Sequence, residues 1–235
     1  LNKDVLYNIT SGYVEWLNIE PDKFIIVPQT KIIGYILLHN LIVMFHLLSF
    51  LFQMVVMIPA YEYKHKIEVK GINPLRFVEY SLSTPLMLTT IGLLSGITDL
   101  FILLLMCVLT SICMFCGALC EVLPKGDFFK RLLTHLIGWL SILAAYLPIF
   151  TYFFMSNGEA EDGKGAPNFV YVIVILQFVL FQSFGIVQLI QLYFTNCKII
   201  GIIGRESEAS YTFLSLVSKT ILGWMIYANI ILLGK

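Results

Sequence analysis

A lysine in the middle of an apolar stretch constrains this chain more than any other feature. From Tyr211 to Leu233 the sequence is apolar and long enough to cross a bilayer, with Lys219 its one strongly charged side chain. A lysine at mid-span costs about 2.5–3.5 kcal/mol even on lenient insertion scales, so its presence marks a functional site. Lys219 lies about eight residues, or roughly 12 Å, from the nearer end of the stretch, too deep to snorkel easily to the interface. A buried lysine escapes the cost by pairing with a carboxylate or by condensing with a carbonyl compound to form a Schiff base.

Composition agrees with a membrane setting. Of 235 residues, 58% are hydrophobic and only 13% charged, where a soluble domain carries about a quarter charged residues. The formal net charge of zero argues against nucleic acid as a partner. Cys107, Cys113, Cys116, Cys120 and Cys197 lie in or beside apolar spans. Cys113-x-x-Cys116 has the spacing of a redox or zinc motif but lacks the further Cys or His ligands that a metal needs. No motif for a nucleophile or metal supports an enzyme. No signal-peptide pattern precedes the first polar stretch, and Leu1 is read as the start of a record inside a longer chain.

Residues 1–30 alternate polar and apolar side chains without a membrane-length run. Tyr13–Trp16 and Phe24–Val27 read as short strands of a hairpin over one membrane face. Asn8-Ile9-Thr10 fits the glycosylation pattern, a weak signal. Six spans are expected over 32–58, 74–97, 99–120, 132–155, 169–195 and 210–233. Charged or Gly/Pro-rich connections join them, among them 61–70, Leu123–Asp127 and Ser156–Pro167.

Lysines and arginines favour cytoplasmic loops. Lys64, Lys66, Lys70, Lys125, Lys130, Arg131, Lys198 and Arg205 gather on one side, so loops 61–73, 121–131 and 196–209 are expected in the cytoplasm. Residues 1–30 and the C-terminus then face outwards.

The second span opens Asn73-Pro-Leu-Arg76-Phe-Val-Glu79-Tyr80-Ser-Leu-Ser83-Thr-Pro85. Arg76 and Glu79 share a helix face. Both this helix and the Lys219 helix enter from the cytoplasmic side, with Glu79 about 9 Å and Lys219 about 15 Å deep. A lysine side chain spans that gap, which makes Glu79 the natural counterion of a cation built on Lys219. An Arg76–Glu79 pair within the helix is the alternative, and it leaves Lys219 unexplained.

These residues resemble the microbial rhodopsins: Arg76-x-x-Glu79-Tyr80 with Ser83-Thr84-Pro85 is similar to their third helix, and Lys219 to their retinal-attachment lysine. Within that superfamily, Arg76–Ser83 and Leu214–Trp224, with Glu208 and Tyr211, resemble the heliorhodopsins over about residues 31–233. Ser215 stands where ion-pumping rhodopsins carry an aspartate, and Thr90 where proton pumps carry a donor carboxylate.

The resemblance implies an all-α, seven-transmembrane-helix retinal-binding bundle whose first helix is not among the six spans. It divides the chain into an extracellular link over 1–30, forming a short β-hairpin, and a bundle over 31–235. It implies all-trans retinal on Lys219 as a protonated Schiff base, Glu79 as sole carboxylate counterion, and a setting of Arg76, Tyr80, Ser83, Ser215 and Trp224. Phe178, Phe181, Gln182, Trp139 and Met114 are expected against the polyene, and His46 near the counterion as a proton acceptor. A homodimer, a signalling partner and an inverted membrane orientation follow from the same likeness.

Three functions remain open: a light sensor, a light-gated proton or cation conductor (as some similar heliorhodopsins of large algal viruses are), and a non-photoactive transporter using the Lys219–Glu79 pair. Glu121 and Glu208 would stand at the cytoplasmic mouth of a proton path.

Overall fold

The computed structural model describes residues 6–20, 23–57, 73–124, 126–158, 165–196 and 200–232. A hairpin of two long strands, β1 (Leu6–Glu20) and β2 (Lys23–Leu37), precedes six helices. These are α1 (Leu38–Met57), α2 (Pro74–Leu94), α3 (Leu100–Val122), α4 (Phe128–Gly158), α5 (Asn168–Asn196) and α6 (Ile200–Ile226), which runs into a π-helical turn over Tyr227–Leu232. All six helices are long and apolar enough to cross a membrane. The chain is an integral membrane protein. A seventh helix is not among the described residues.

The strands exceed the short hairpin expected from sequence. β1 and β2 pair antiparallel from Leu6↔Leu37 to Glu20↔Lys23, with irregularities at Ile9/Thr10 and Asn18/Glu20. The first span therefore begins at Leu38 rather than at 32. Ile32-Ile-Gly-Tyr-Ile-Leu is apolar enough to extend a helix, but its backbone is taken up by the ladder to β1. The hairpin docks on the turn between α2 and α3: Thr10 N–H donates to the Thr98 carbonyl at 2.8 Å, and Gly12 N–H to the Asp99 carboxylate at 3.2 Å.

Local chemistry explains the α2–α3 hairpin. Asn73 caps α2, accepting from the Arg76 N–H, and Pro74 fills the first helical position, where no N–H is needed. α2 ends at Leu94, and Gly96 supplies the left-handed turn at φ +94°. Asp99 caps α3 by accepting from Phe101 and Ile102.

Successive helices pack in chain order around a ring, and α6 closes it against α1. α2 is 67% buried over its membrane-length window, far more than any other helix, so it forms the centre of the bundle. Phe45, Met87, Leu88, Ile91, Ala145, Tyr146, Ile149, Ile173, Val174 and Leu222 fill the core. Exposed leucines, valines and phenylalanines on the outer faces suit lipid rather than water.

α4 and α6 start earlier than the apolar runs suggested. Both continue through polar residues, Lys130 and Arg131 in α4 and Arg205 to Glu208 in α6. The loops at 61–70, most of the acidic connection at 159–164, Lys125 and Cys197 lie outside the described residues, and so do several lysines that set the expected orientation.

Candidate retinal site and its buried charges

Lys219 and Glu79 meet inside the bundle. The Nζ donates to Glu79 Oε1 at 2.7 Å, with both side chains less than a tenth exposed. Ser49 of α1 accepts a second hydrogen bond from the same nitrogen. The ammonium also lies 5.3 Å from the Tyr80 ring centre. A buried charge is tolerable only when paired and hydrogen-bonded, and these three contacts supply that.

Arg76 turns away from Glu79. Its guanidinium is clamped between Glu121 of α3 and Glu208 of α6 and lies over the Tyr211 ring at 4.0 Å. The Asn73 amide also donates to Glu208, at 2.9 Å. Glu121 and Glu208 thus form a buried anchor for Arg76, one turn beyond the Lys219–Glu79 pair. Tyr80 donates to the Tyr211 carbonyl at 3.1 Å, tying α2 to α6. Gln177 of α5 donates to the Ser218 carbonyl at 2.9 Å, fixing the backbone beside Lys219.

A cavity opens beside Lys219. Met87, Met114, Ile142, Trp139, Phe181 and Phe184 give it apolar walls, and Tyr80, Arg76 and Ser215 border it near Lys219. Its width depends on glycines: a Cβ at Gly185 would stand 2.5 Å from the Trp139 Nε1, and one at Gly138 3.0 Å from Cys116 Cβ. Apolar walls beside a buried lysine amine suit retinal, whose aldehyde would reach Lys219 and whose polyene needs such walls.

Six expected site residues lie off this lining: Glu79, which pairs with Lys219, and His46, Phe178, Gln182, Ser83 and Trp224. Phe178 sits a layer behind, packed at 5.1 Å against both Tyr146 and Phe150. Gln182 and Ser83 are likewise outside it, each with a buried polar atom lacking a partner among the described residues. Trp224 is 67% exposed and lies tilted against Tyr227; its position along α6 turns it outward while Lys219 points in.

His46 Nδ1–H donates to the Ile42 carbonyl of its own helix at 2.8 Å. Its ring packs against Gly223, where an added Cβ would lie 2.5 Å away. That places it one turn past Lys219 on α6, against the α1 face that also carries Ser49. Residues the sequence reading did not single out are Ser49, Gln177, His135, Gln188 and the wall glycines. They carry no motif, because each acts through a partner far along the chain.

The heliorhodopsin family model matches residues 1–231. The chain belongs to the heliorhodopsin family. Heliorhodopsins are light-sensing membrane proteins of the microbial rhodopsin group, and membership implies a retinal chromophore. Among curated proteins, none matches the chain.

Proposed function

We propose that this heliorhodopsin is a photoreceptor in which Lys219 carries all-trans retinal as a protonated Schiff base and Glu79 is the sole carboxylate counterion. The observation that carries this reading is the buried 2.7 Å contact between Lys219 and Glu79 at the mouth of an apolar cavity. Retinal, once bound, supplies absorption of visible light and a change of shape on isomerisation. The protein's residues do the rest.

Glu79 holds positive charge at the Lys219 nitrogen, and Ser49 offers that nitrogen a second acceptor. Apolar walls exclude water, which strengthens each electrostatic contact inside. Tyr80 and Ser215 border the nitrogen's side of the cavity. Any change in the Lys219–Glu79 pair bears on α2 and α6 together, because Tyr80, Tyr211, Arg76 and Glu208 bind these helices to each other.

A second reading, passage of protons on illumination, is favoured by one feature. A cleft that brings Glu79, Arg76, Glu208 and Asn73 together beside Phe52 and Leu75 adjoins the pair. A proton leaving the Lys219 nitrogen would meet Glu79 first and Glu208 beyond it, while His46 would serve the opposite side. The Arg76 clamp stands in that route and would have to loosen.

In this reading the lysine- and arginine-rich segments 61–73, 121–131 and 196–209 face the cytoplasm, and the hairpin and C-terminus face outwards. A homodimer and a signalling partner belong to the sensor reading.

The test is the visible spectrum of the protein with all-trans retinal, beside Lys219→Ala and Glu79→Gln. A band lost in the first variant and shifted in the second supports the proposal; no band in the parent protein overturns it. Photocurrents under voltage clamp then separate a conductor from a sensor.

A further inference from the structure

The cavity wall across the bundle from Lys219 is polar in a way that an unsubstituted hydrocarbon ring leaves unused. His135 of α4 is 3% exposed, and its Nδ1 lies 3.1 Å from Gln188 Oε1. The Gln188 amide nitrogen is already committed, donating to the Gly117 carbonyl at 2.8 Å. Gln188 therefore presents its oxygen to His135, and His135 Nδ1 must carry the proton.

The other ring nitrogen, Nε2, is then a lone-pair acceptor. It is buried and has no hydrogen-bond partner among the described residues. One turn later, the Trp139 Nε1–H is a buried donor that also lacks a partner among the described residues. The two rings are 5.4 Å apart between centres, and both residues line the cavity.

A free acceptor and a free donor on these two neighbouring rings together match a hydroxyl group, which donates to the first and accepts from the second. His135 and Trp139 line the cavity from α4 and Lys219 lines it from α6, with α5 packed between these two helices. We infer that His135 and Trp139 form a hydroxyl-recognition site, so that the cavity selects a ring-hydroxylated retinal over retinal itself. The inference rests on the proposal that an aldehyde of this class is held at Lys219. Sites built to hydrogen-bond a substrate hydroxyl discriminate against analogues lacking it, because their own polar groups are otherwise left unpaired.

The experiment offers the retinal-free protein an equimolar mixture of all-trans retinal and all-trans 3-hydroxyretinal, then extracts and quantifies the bound aldehydes. The expected ratio favours the hydroxylated form roughly tenfold, equivalent to ~1.4 kcal/mol. His135→Phe and Trp139→Phe should each bring the ratio towards one. A wild-type ratio near or below one, as when water alone fills the site, overturns the inference while leaving the retinal proposal intact. So does a ratio unmoved in either variant that forms pigment. If neither variant forms pigment, the wild-type ratio decides. No visible band with either aldehyde overturns both proposals together.

Discussion

Arg76 and Glu79 stand three residues apart on one helix yet belong to different charge clusters. Arg76 is held by Glu121 and Glu208, whereas Glu79 is left to Lys219. The separation matters because a carboxylate shared with an arginine would hold the lysine charge less strongly. Arg76 and Lys219 thus draw on different anions.

The Lys219–Glu79 pair gives the first prediction. Removing one partner of a buried ion pair leaves an uncompensated charge and costs about 3–5 kcal/mol. Retinal-free Glu79→Gln should therefore melt well below the parent protein. The double variant Glu79→Gln with Lys219→Met, which removes both charges, should recover most of the loss. Thermal unfolding in detergent or bilayers measures this, and a double variant as unstable as Glu79→Gln would contradict it.

The Arg76 clamp predicts an order among variants. The Glu121 side chain is 3% exposed and that of Glu208 18%, so water can replace part of what Glu208 supplies. Glu121→Gln should destabilise more than Glu208→Gln, and Arg76→Gln more than either, since it leaves two buried carboxylates together. Comparison of the three melting temperatures checks the ranking.

Much of this was legible in the sequence, and for physical reasons. Lipid demands long apolar runs, so the six spans show themselves through length alone. A mid-span lysine must be answered by an anion at similar depth, which pointed to Glu79. The first span's start was not legible, because Ile32–Leu37 is apolar and short enough to serve as strand or helix. Only pairing with Leu6–Thr10 decides it. The partners of Arg76 lie 45 and 132 residues away, and no local spacing announces contacts of that range. Trp224 shows the opposite failure: it belongs to a motif resembling the family's, but its place on the α6 surface is set by the helix's rotation in the bundle.

The wall glycines predict a steric effect. A Cβ at Gly185 would stand 2.5 Å from the Trp139 indole, a rigid group with little room to retreat. Gly185→Ala should cost about 1–3 kcal/mol, the range for overpacking a filled interior, and should narrow the cavity. The expected readouts are a lower melting temperature and a shifted tryptophan emission. Gly34→Ala, with nothing within 4 Å of its Cβ, serves as the control for packing.

Asp99 joins the hairpin to the bundle, and this gives the last prediction. Its carboxylate accepts from Phe101 and Ile102 at the start of α3, at 2.9 and 3.0 Å, and from the Gly12 N–H of β1 at 3.2 Å. Loss of an N-cap costs roughly 0.5–2 kcal/mol. Asp99→Ala should therefore weaken the first turn of α3 and remove one hairpin contact with it, leaving the Thr10–Thr98 backbone bond as the main tether. Asp99→Asn keeps an oxygen for the cap and should retain most of the stability. Limited proteolysis of the 6–37 segment reads the docking directly: cleavage should accelerate in Asp99→Ala and much less in Asp99→Asn. Equal cleavage in the two would mean that negative charge at the cap, rather than its hydrogen bonds, holds the hairpin down.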